Sequence, residues 1–427
     1  MIKNWQKQPL KIGPWLIIFF VLFFCLRAVG LFSPYFGLSK DEALLLNHLP
    51  AQETVICENE GDCFLPFSAF VFRLPYFLGL KDSHRIIYWG RTISLLAGMI
   101  VLILGYRIVG FLTKKADWPL FFLLVLGLSP QFIFLSRFIS PLGLGLPFFL
   151  GAIYFLLNQE NNKWLYTLLF FLFWGVSWLT SLYLFLPSLF LLLFSLYSLG
   201  GAKQKKFFWA IAFLFLGMTG FVWWQSSHII DFLLLKKVFG FFSDIGFINA
   251  INSSRGNEIE FGHPLLARFL YNKLYFLIFW LSNFFGQYSL NKVFSLMEGT
   301  GASFLFDNTP MLLIFAPLFV WGLFKSFRLL SRRLAFFTLG FLLLAGISSS
   351  LLGSSFNQDA FTLVLLPIAF YISLALSEMA KKKSWLTIFG IFLVINCLIS
   401  YFKIFDDFRR SDGLPNRKLY QIIRQRQ

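Results

Sequence analysis

The chain has 427 residues, of which 58% are hydrophobic and only 13% charged, and it carries a formal charge of +17. Ordinary soluble domains hold about 25% charged residues, so this composition excludes a soluble globular protein and makes lipid the solvent. The positive charge lies in short connections between apolar runs rather than in a basic stripe interleaved with aromatics, which argues against nucleic acid as a partner.

In chain order, the N-terminal MIKNWQKQPLKIGPW looks like the n-region of a signal peptide. The apolar run behind it is long and lacks a small-residue cleavage site, so it reads as a retained first helix at 14–32. Further spanning helices are predicted at 87–111, 118–136, 141–157, 164–179, 181–199, 207–225, 310–327, 334–352, 360–377 and 384–402, eleven in all. The pair at 164–199 turns tightly near Thr180–Ser181. Residues 1–427 then form one integral membrane domain, with a short C-terminal tail at 403–427.

Sidedness follows from charge. With the N-terminus inside, the inner connections hold 17 lysines and arginines against three acids, Asp117, Glu160 and Glu378. The outer segments hold 19 against 17. Every lysine-rich short loop falls inside, as the positive-inside rule requires. Two outer loops are long, 33–86 and 226–309. The second contains LYFLIFWLSNFF at 274–285, too short to cross about 30 Å of hydrocarbon and better suited to lying in the interface or re-entering; were it to cross, the basic clusters at 325–333 and 381–383 would lie outside and the basic C-terminal tail inside, which charge alone does not exclude.

The first outer loop places Asp41 and Glu42 just beyond the first membrane helix. A carboxylate at that depth meets both lipid-borne and water-borne molecules and can act as a general base toward an acceptor hydroxyl or amine. The plainer reading of SKDEALLL is a helix start capped by Ser39 or Asp41. Basic residues on the same side are the counterparts: Arg137 ending the third helix, Arg91 one or two turns inside the second, and His84 and Arg85 before it. A guanidinium at membrane depth calls for an anionic partner such as a phosphate; for Arg85, Lys81 and Arg73, snorkelling to headgroups suffices. The second outer loop adds His263, Arg268 and Lys273.

The four histidines show no ligand spacing, so no dedicated metal site is expected, although a divalent cation shared by the acids and a phosphate fits the chemistry. Walker, dinucleotide and G-x-S-x-G motifs are absent. Cys25 and Cys397 lie in apolar runs as packing residues. Cys57 and Cys63 share one polar loop, where they either close a local disulfide or stay apart.

An N-terminal helix followed by an outer "DE" resembles the glycosyltransferase C (GT-C) superfamily, in particular its family 39-like enzymes, the protein O-mannosyltransferases and lipid A aminoarabinose transferases. YFLGLKDSHRIIYWGRTISLLAG, LSPQFIFLSRFISPLGLGLPFFLGAIYFL and, later, DAFTLVLLPIAFYISLAL are similar to that family's segments in order and spacing. The resemblance implies an all-α GT-C bundle with interfacial helices in its two outer loops. It also implies transfer of a sugar from a polyprenyl-phosphate donor, with inversion, to an acceptor lipid, glycan or protein on the extracytoplasmic side of the plasma membrane. Asp41 matches the base, Glu42 its neighbour, and Arg137 falls where a basic residue faces the carrier phosphate; Arg91 and Lys273, outside the resemblance, are added as further donor-phosphate contacts. The chain departs from the family at NQDAF, where an Arg-Tyr pair is common, and after Pro141, where an acid is usual. The rival readings are a transporter or flippase of lipid-linked sugars, which would place its ionisable residues near mid-bilayer, and an inactive assembly partner.

Overall fold

The computed structural model describes residues 14–28, 40–47, 64–80, 82–113, 117–158, 163–198, 245–265, 273–286, 288, 293, 313–351, 358–382 and 384–395. Their regular elements are all helical. In order they are α1 (Pro14–Ala28), α2 (Lys40–Asn47), α3 (Pro66–Phe77), α4 (Ser83–Leu112), α5 (Asp117–Gly127), α6 (Pro130–Leu135), α7 (Pro141–Leu157), α8 (Lys163–Trp178), α9 (Phe185–Ser198), α10 (Ile245–Glu260), α11 (Lys273–Gly286), α12 (Ala316–Leu329), α13 (Arg332–Leu351) and α14 (Gln358–Met379). A last helix, α15, covers Ser384–Ile395. Helices therefore occupy ten of the eleven predicted spanning segments. The segment 207–225 and both cysteines of the first outer loop lie outside the described residues.

Among the described residues, two stretches, Ser83–Leu112 and Thr362–Met379, are long and apolar enough to cross a bilayer alone, and further apolar helical stretches run 10–17 residues. The side chains facing outward are those of a lipid-solvated bundle. Ile17, Val21 and Phe24 on α1, Leu96, Ile100 and Ile103 on α4, and Ile388, Ile391 and Ile395 on α15 form exposed apolar stripes at helical spacing. The Cys25 side chain lies on such a face and is exposed, not packed inside as its apolar setting suggested. At the centre stands α14, buried on all sides from Thr362 to Ser377 and packed by α5, α12 and α13.

Close helix approach is encoded by small residues, which membrane helices use in place of a hydrophobic drive between helices. A Cβ on Gly322 of α12 would lie 1.9 Å from the Tyr371 carbonyl of α14. On α4, Gly90, Ser94 and Gly98 line one face, four residues apart. A Cβ on Gly90 would meet Ile139 Cδ1 at 2.2 Å, and one on Gly98 would meet Ser136 Cβ at 2.5 Å. The segment Ser136–Ile139 thus climbs α4 from Gly98 to Gly90, a rise of about 12 Å at 1.5 Å per residue. Gly98→Ala is expected to cost about 1–3 kcal/mol through overpacking, seen as a lower thermal midpoint in detergent. Gly256→Ala on α10, where a Cβ meets nothing within 4 Å, should leave the midpoint unchanged or raise it.

The predicted third helix is not continuous. It stops at Gly127 and restarts at Pro130, capped by Ser129, whose side chain accepts from the Phe132 N–H. Proline lacks the N–H that would continue the ladder and disfavours helical geometry at the preceding residue, which is why the break falls there. The tight turn predicted at Thr180–Ser181 separates α8 from α9. The short run at 274–285 forms α11, and the chain just beyond it is anchored on the bundle. Tyr288 Oη donates to the Leu342 carbonyl at 2.6 Å, halfway along α13, over a notch left by Gly346. Burial holds the Tyr288 phenol well above the ordinary tyrosine range.

Candidate active site

α4 is 30 residues long, about 45 Å, whereas α7 has 17 residues, about 25 Å. The climbing segment brings the start of α7 level with Gly90, so the first two turns of α4 project beyond it. The two short helices of the first outer loop pack there. Leu46 of α2 packs with Ile86 and Ile87 of α4, with Tyr76 of α3 against them. Leu44, Leu45, Phe64, Ala69 and Phe72 pack with Ile139 and Leu144. α3 is tied down further by the Trp89 Nε1 bond to the Val71 carbonyl at 3.1 Å and by Ser68 Oγ on the Thr180 carbonyl at 2.9 Å.

Glu42, in the first turn of α2, is fully buried. Arg91 grips it in a two-pronged pair, Nε to Oε1 and Nη2 to Oε2, both 2.8 Å. Glu42 Oε1 also accepts from the Ile139 N–H at 3.3 Å, and the Arg91 guanidinium lies 5.2 Å from the centre of the Phe138 ring. Fork-to-fork geometry and a third donor are what a buried pair needs to offset desolvation. The pair ties three pieces of chain together: α2, α4 and the climbing segment. Arg91 and Glu42 therefore occupy each other. In this geometry Arg91 meets a protein carboxylate, and Glu42 acts as a strut beside the acid that precedes it.

Asp41 lies in that same helical turn; its side chain is outside the described residues. Lys40 and Asp41 are both helical, so Asp41 sits within α2 rather than at its cap; Ser39, the other predicted cap, lies outside the described residues. Arg137 follows α6 at the lower end of the climbing segment, 9% exposed, and donates through Nη2 to the Leu26 carbonyl of α1.

His84 and Arg85 are exposed at the projecting tip of α4, where Asp82 caps the helix and pairs with Arg85 at 3.5 Å. His263 is exposed just beyond α10, after the left-handed turn at Gly262 (φ +86°). Lys273 opens α11 with its side chain outside the described residues, and Arg268 and Lys81 lie outside them altogether. Arg73 departs from the snorkelling expectation, being 3% exposed within α3. Among the described residues no three His, Cys, Asp or Glu side chains gather as a metal site.

Arg27, in the last turn of α1, is not among the site candidates read from the sequence. It is fully buried, donating through Nη1 to the Phe23 carbonyl at 3.1 Å and through Nη2 to the Gly127 carbonyl at 3.2 Å. Its guanidinium lies 5.3 Å from the Phe132 ring centre. The available signal was a lone arginine in an apolar run, since such residues are expensive in a membrane and bound to something specific.

The arrangement of helices matches that of solved structures of ArnT and of archaeal oligosaccharyltransferases. The chain has the GT-C fold. ArnT from Cupriavidus metallidurans bound to undecaprenyl phosphate aligns with 90% of this chain at 14% identity and a TM-score of 0.53. An Archaeoglobus fulgidus oligosaccharyltransferase complex with zinc and sulfate aligns with 93% at 15% identity and a TM-score of 0.51. The oligosaccharyltransferase AglB of the same archaeon, in complex with an inhibitory peptide and a dolichol-phosphate, aligns with 94% at 15% identity and a TM-score of 0.50. This chain spans 64% of the ArnT chain and 52% and 56% of the other two. No family model matches the chain, and neither does any curated protein sequence. Apolar composition, lipid-facing stripes and this fold together make it an integral membrane protein.

Proposed function

We propose that this GT-C protein is a glycosyltransferase that takes a sugar from a polyprenyl-phosphate donor and passes it, with inversion, to an acceptor on the extracytoplasmic side. The observation that carries the reading is the buried Glu42–Arg91–Ile139 strut, which holds the turn bearing Asp41 against the segment bearing Arg137. A base must be held within hydrogen-bond reach of the acceptor proton, and a rigid support makes that geometry repeatable. Asp41 takes the proton as the acceptor oxygen or nitrogen attacks the anomeric carbon. The bond to the carrier phosphate breaks with its electron pair, and Arg137 meets the charge that develops there. Arg268 and Lys273 of the second outer loop are further cationic candidates for that phosphate; were a divalent cation bound, the acids of the first outer loop would hold it and it would offset the phosphate charge. The N-terminus lies in the cytoplasm on this reading, and the outer loops carry the site.

Purified protein reconstituted in lipid, supplied with a labelled polyprenyl-phosphate sugar and membrane extract, should release the carrier phosphate and form one labelled glycoconjugate. Movement of the intact lipid-linked sugar between leaflets without any such product would instead identify a flippase. Chelation in the same assay reads metal dependence directly.

A further inference from the structure

Two arginines, Arg27 and Arg137, tie α1 to the α5–α6 region in opposite directions. Arg27 at the end of α1 reaches the carbonyl of Gly127, where α5 stops, and Arg137 just after α6 reaches back to the carbonyl of Leu26, the residue before Arg27. The helix break is what makes the first bond possible. In an unbroken helix the Gly127 carbonyl would take the N–H of residue 131; here the chain leaves the helix at Leu128–Ser129, and the guanidinium takes that place. The contact also needs glycine at 127, since a Cβ there would lie 2.5 Å from the Phe23 ring. Phe132 of α6 then covers the guanidinium.

From this reciprocal staple we infer that Arg27 is a positioning residue for Arg137, setting the height and orientation at which the Arg137 guanidinium meets the carrier phosphate. The inference rests on the phosphate role proposed above for Arg137. The Arg27 side chain is 0% exposed; it donates to the Phe23 and Gly127 carbonyls, and its guanidinium lies beside the Phe23 and Phe132 rings. The Leu26 carbonyl, which Arg137 grips, is the link by which the placement of Arg27 reaches a ligand. Lysine cannot reproduce it: a single ammonium lacks the planar fork that spans two carbonyls on different helices.

The test compares binding of undecaprenyl phosphate and of the neutral alcohol undecaprenol to the reconstituted full-length protein and its variants. The wild type should bind the phosphate at least tenfold more tightly than the alcohol. Arg137→Lys and Arg27→Lys should each remove about tenfold from phosphate affinity and leave alcohol affinity within twofold, and the double variant should lose little more than either single one. Equal binding of phosphate and alcohol by the wild type, or an Arg137→Lys variant indistinguishable from it, would overturn the phosphate role itself. If Arg137→Lys loses phosphate affinity while Arg27→Lys keeps it, or loses phosphate and alcohol affinity alike, Arg27 is structural and the inference fails. If Arg27→Lys does not fold, Phe132→Leu, which strips the ring from over the guanidinium, should show a smaller loss confined to the phosphate. An unchanged ratio would count against the inference.

Discussion

Replacing Asp41 by Asn is expected to lower sugar transfer by about 10²–10⁴-fold, the usual cost of losing a general base. Expression, membrane insertion and thermal midpoint should stay at wild-type values. Asp41 shares a turn with Glu42, and Glu42 carries the contacts that hold the turn in place: both Arg91 prongs and the Ile139 N–H. An amide at position 41 keeps the shape and removes only the basicity. The donor should still bind, because binding draws on the phosphate and the lipid tail, so the loss falls on kcat. Transfer by Asp41→Asn within a few-fold of wild type would remove Asp41 from the mechanism. So would labelling that placed a cysteine at position 41 in the cytoplasm.

The second large effect concerns the strut itself. Arg91→Met alone, or Glu42→Met alone, leaves a buried charge without its partner, and such losses run to about 3–5 kcal/mol. The double variant Glu42→Met/Arg91→Met removes both charges and should recover more than half of that stability, measured as thermal midpoint or denaturant midpoint in detergent. Transfer should not recover with it, because the Ile139 N–H loses its acceptor and α2 loses the contact that sets its register on α4. Additive losses in the double variant would mean that the two residues act independently, against the geometry of two 2.8 Å bonds. Recovery of transfer along with stability would show that the charged pair does nothing for the turn bearing Asp41 beyond holding it folded.

Taken together, the two experiments separate chemistry from support. The first changes a proton acceptor and leaves the fold alone. The second changes the fold's local anchor and leaves the proposed acceptor in place. A flippase would predict neither the kcat loss at Asp41 nor its independence from stability.

Much of the architecture was legible in the sequence because the bilayer imposes it. A helix must be apolar over its crossing length and must satisfy its own backbone, so the spanning segments announced themselves in composition; the described helices of the bundle fall on apolar runs, whereas α2 and α10 form on polar sequence. The turn at Thr180–Ser181 and the acidic pair after the first helix were read from local residues alone, and the order of weak motifs sufficed to suggest the GT-C bundle. Pairing was not legible. Nothing local tells Glu42 from Asp41 or Arg91 from Arg137, yet tertiary packing joins Glu42 to Arg91 across 49 positions and sends Arg137 to Leu26 across 111. Arg73, assigned to headgroups by its sequence, turns inward for the same reason: its burial depends on where α3 packs. Electrostatics acts over a few ångströms and only the folded bundle decides which charges come that close, so the length of the apolar runs determined where the spanning helices are, and the tertiary structure alone decided which partner each charged residue meets.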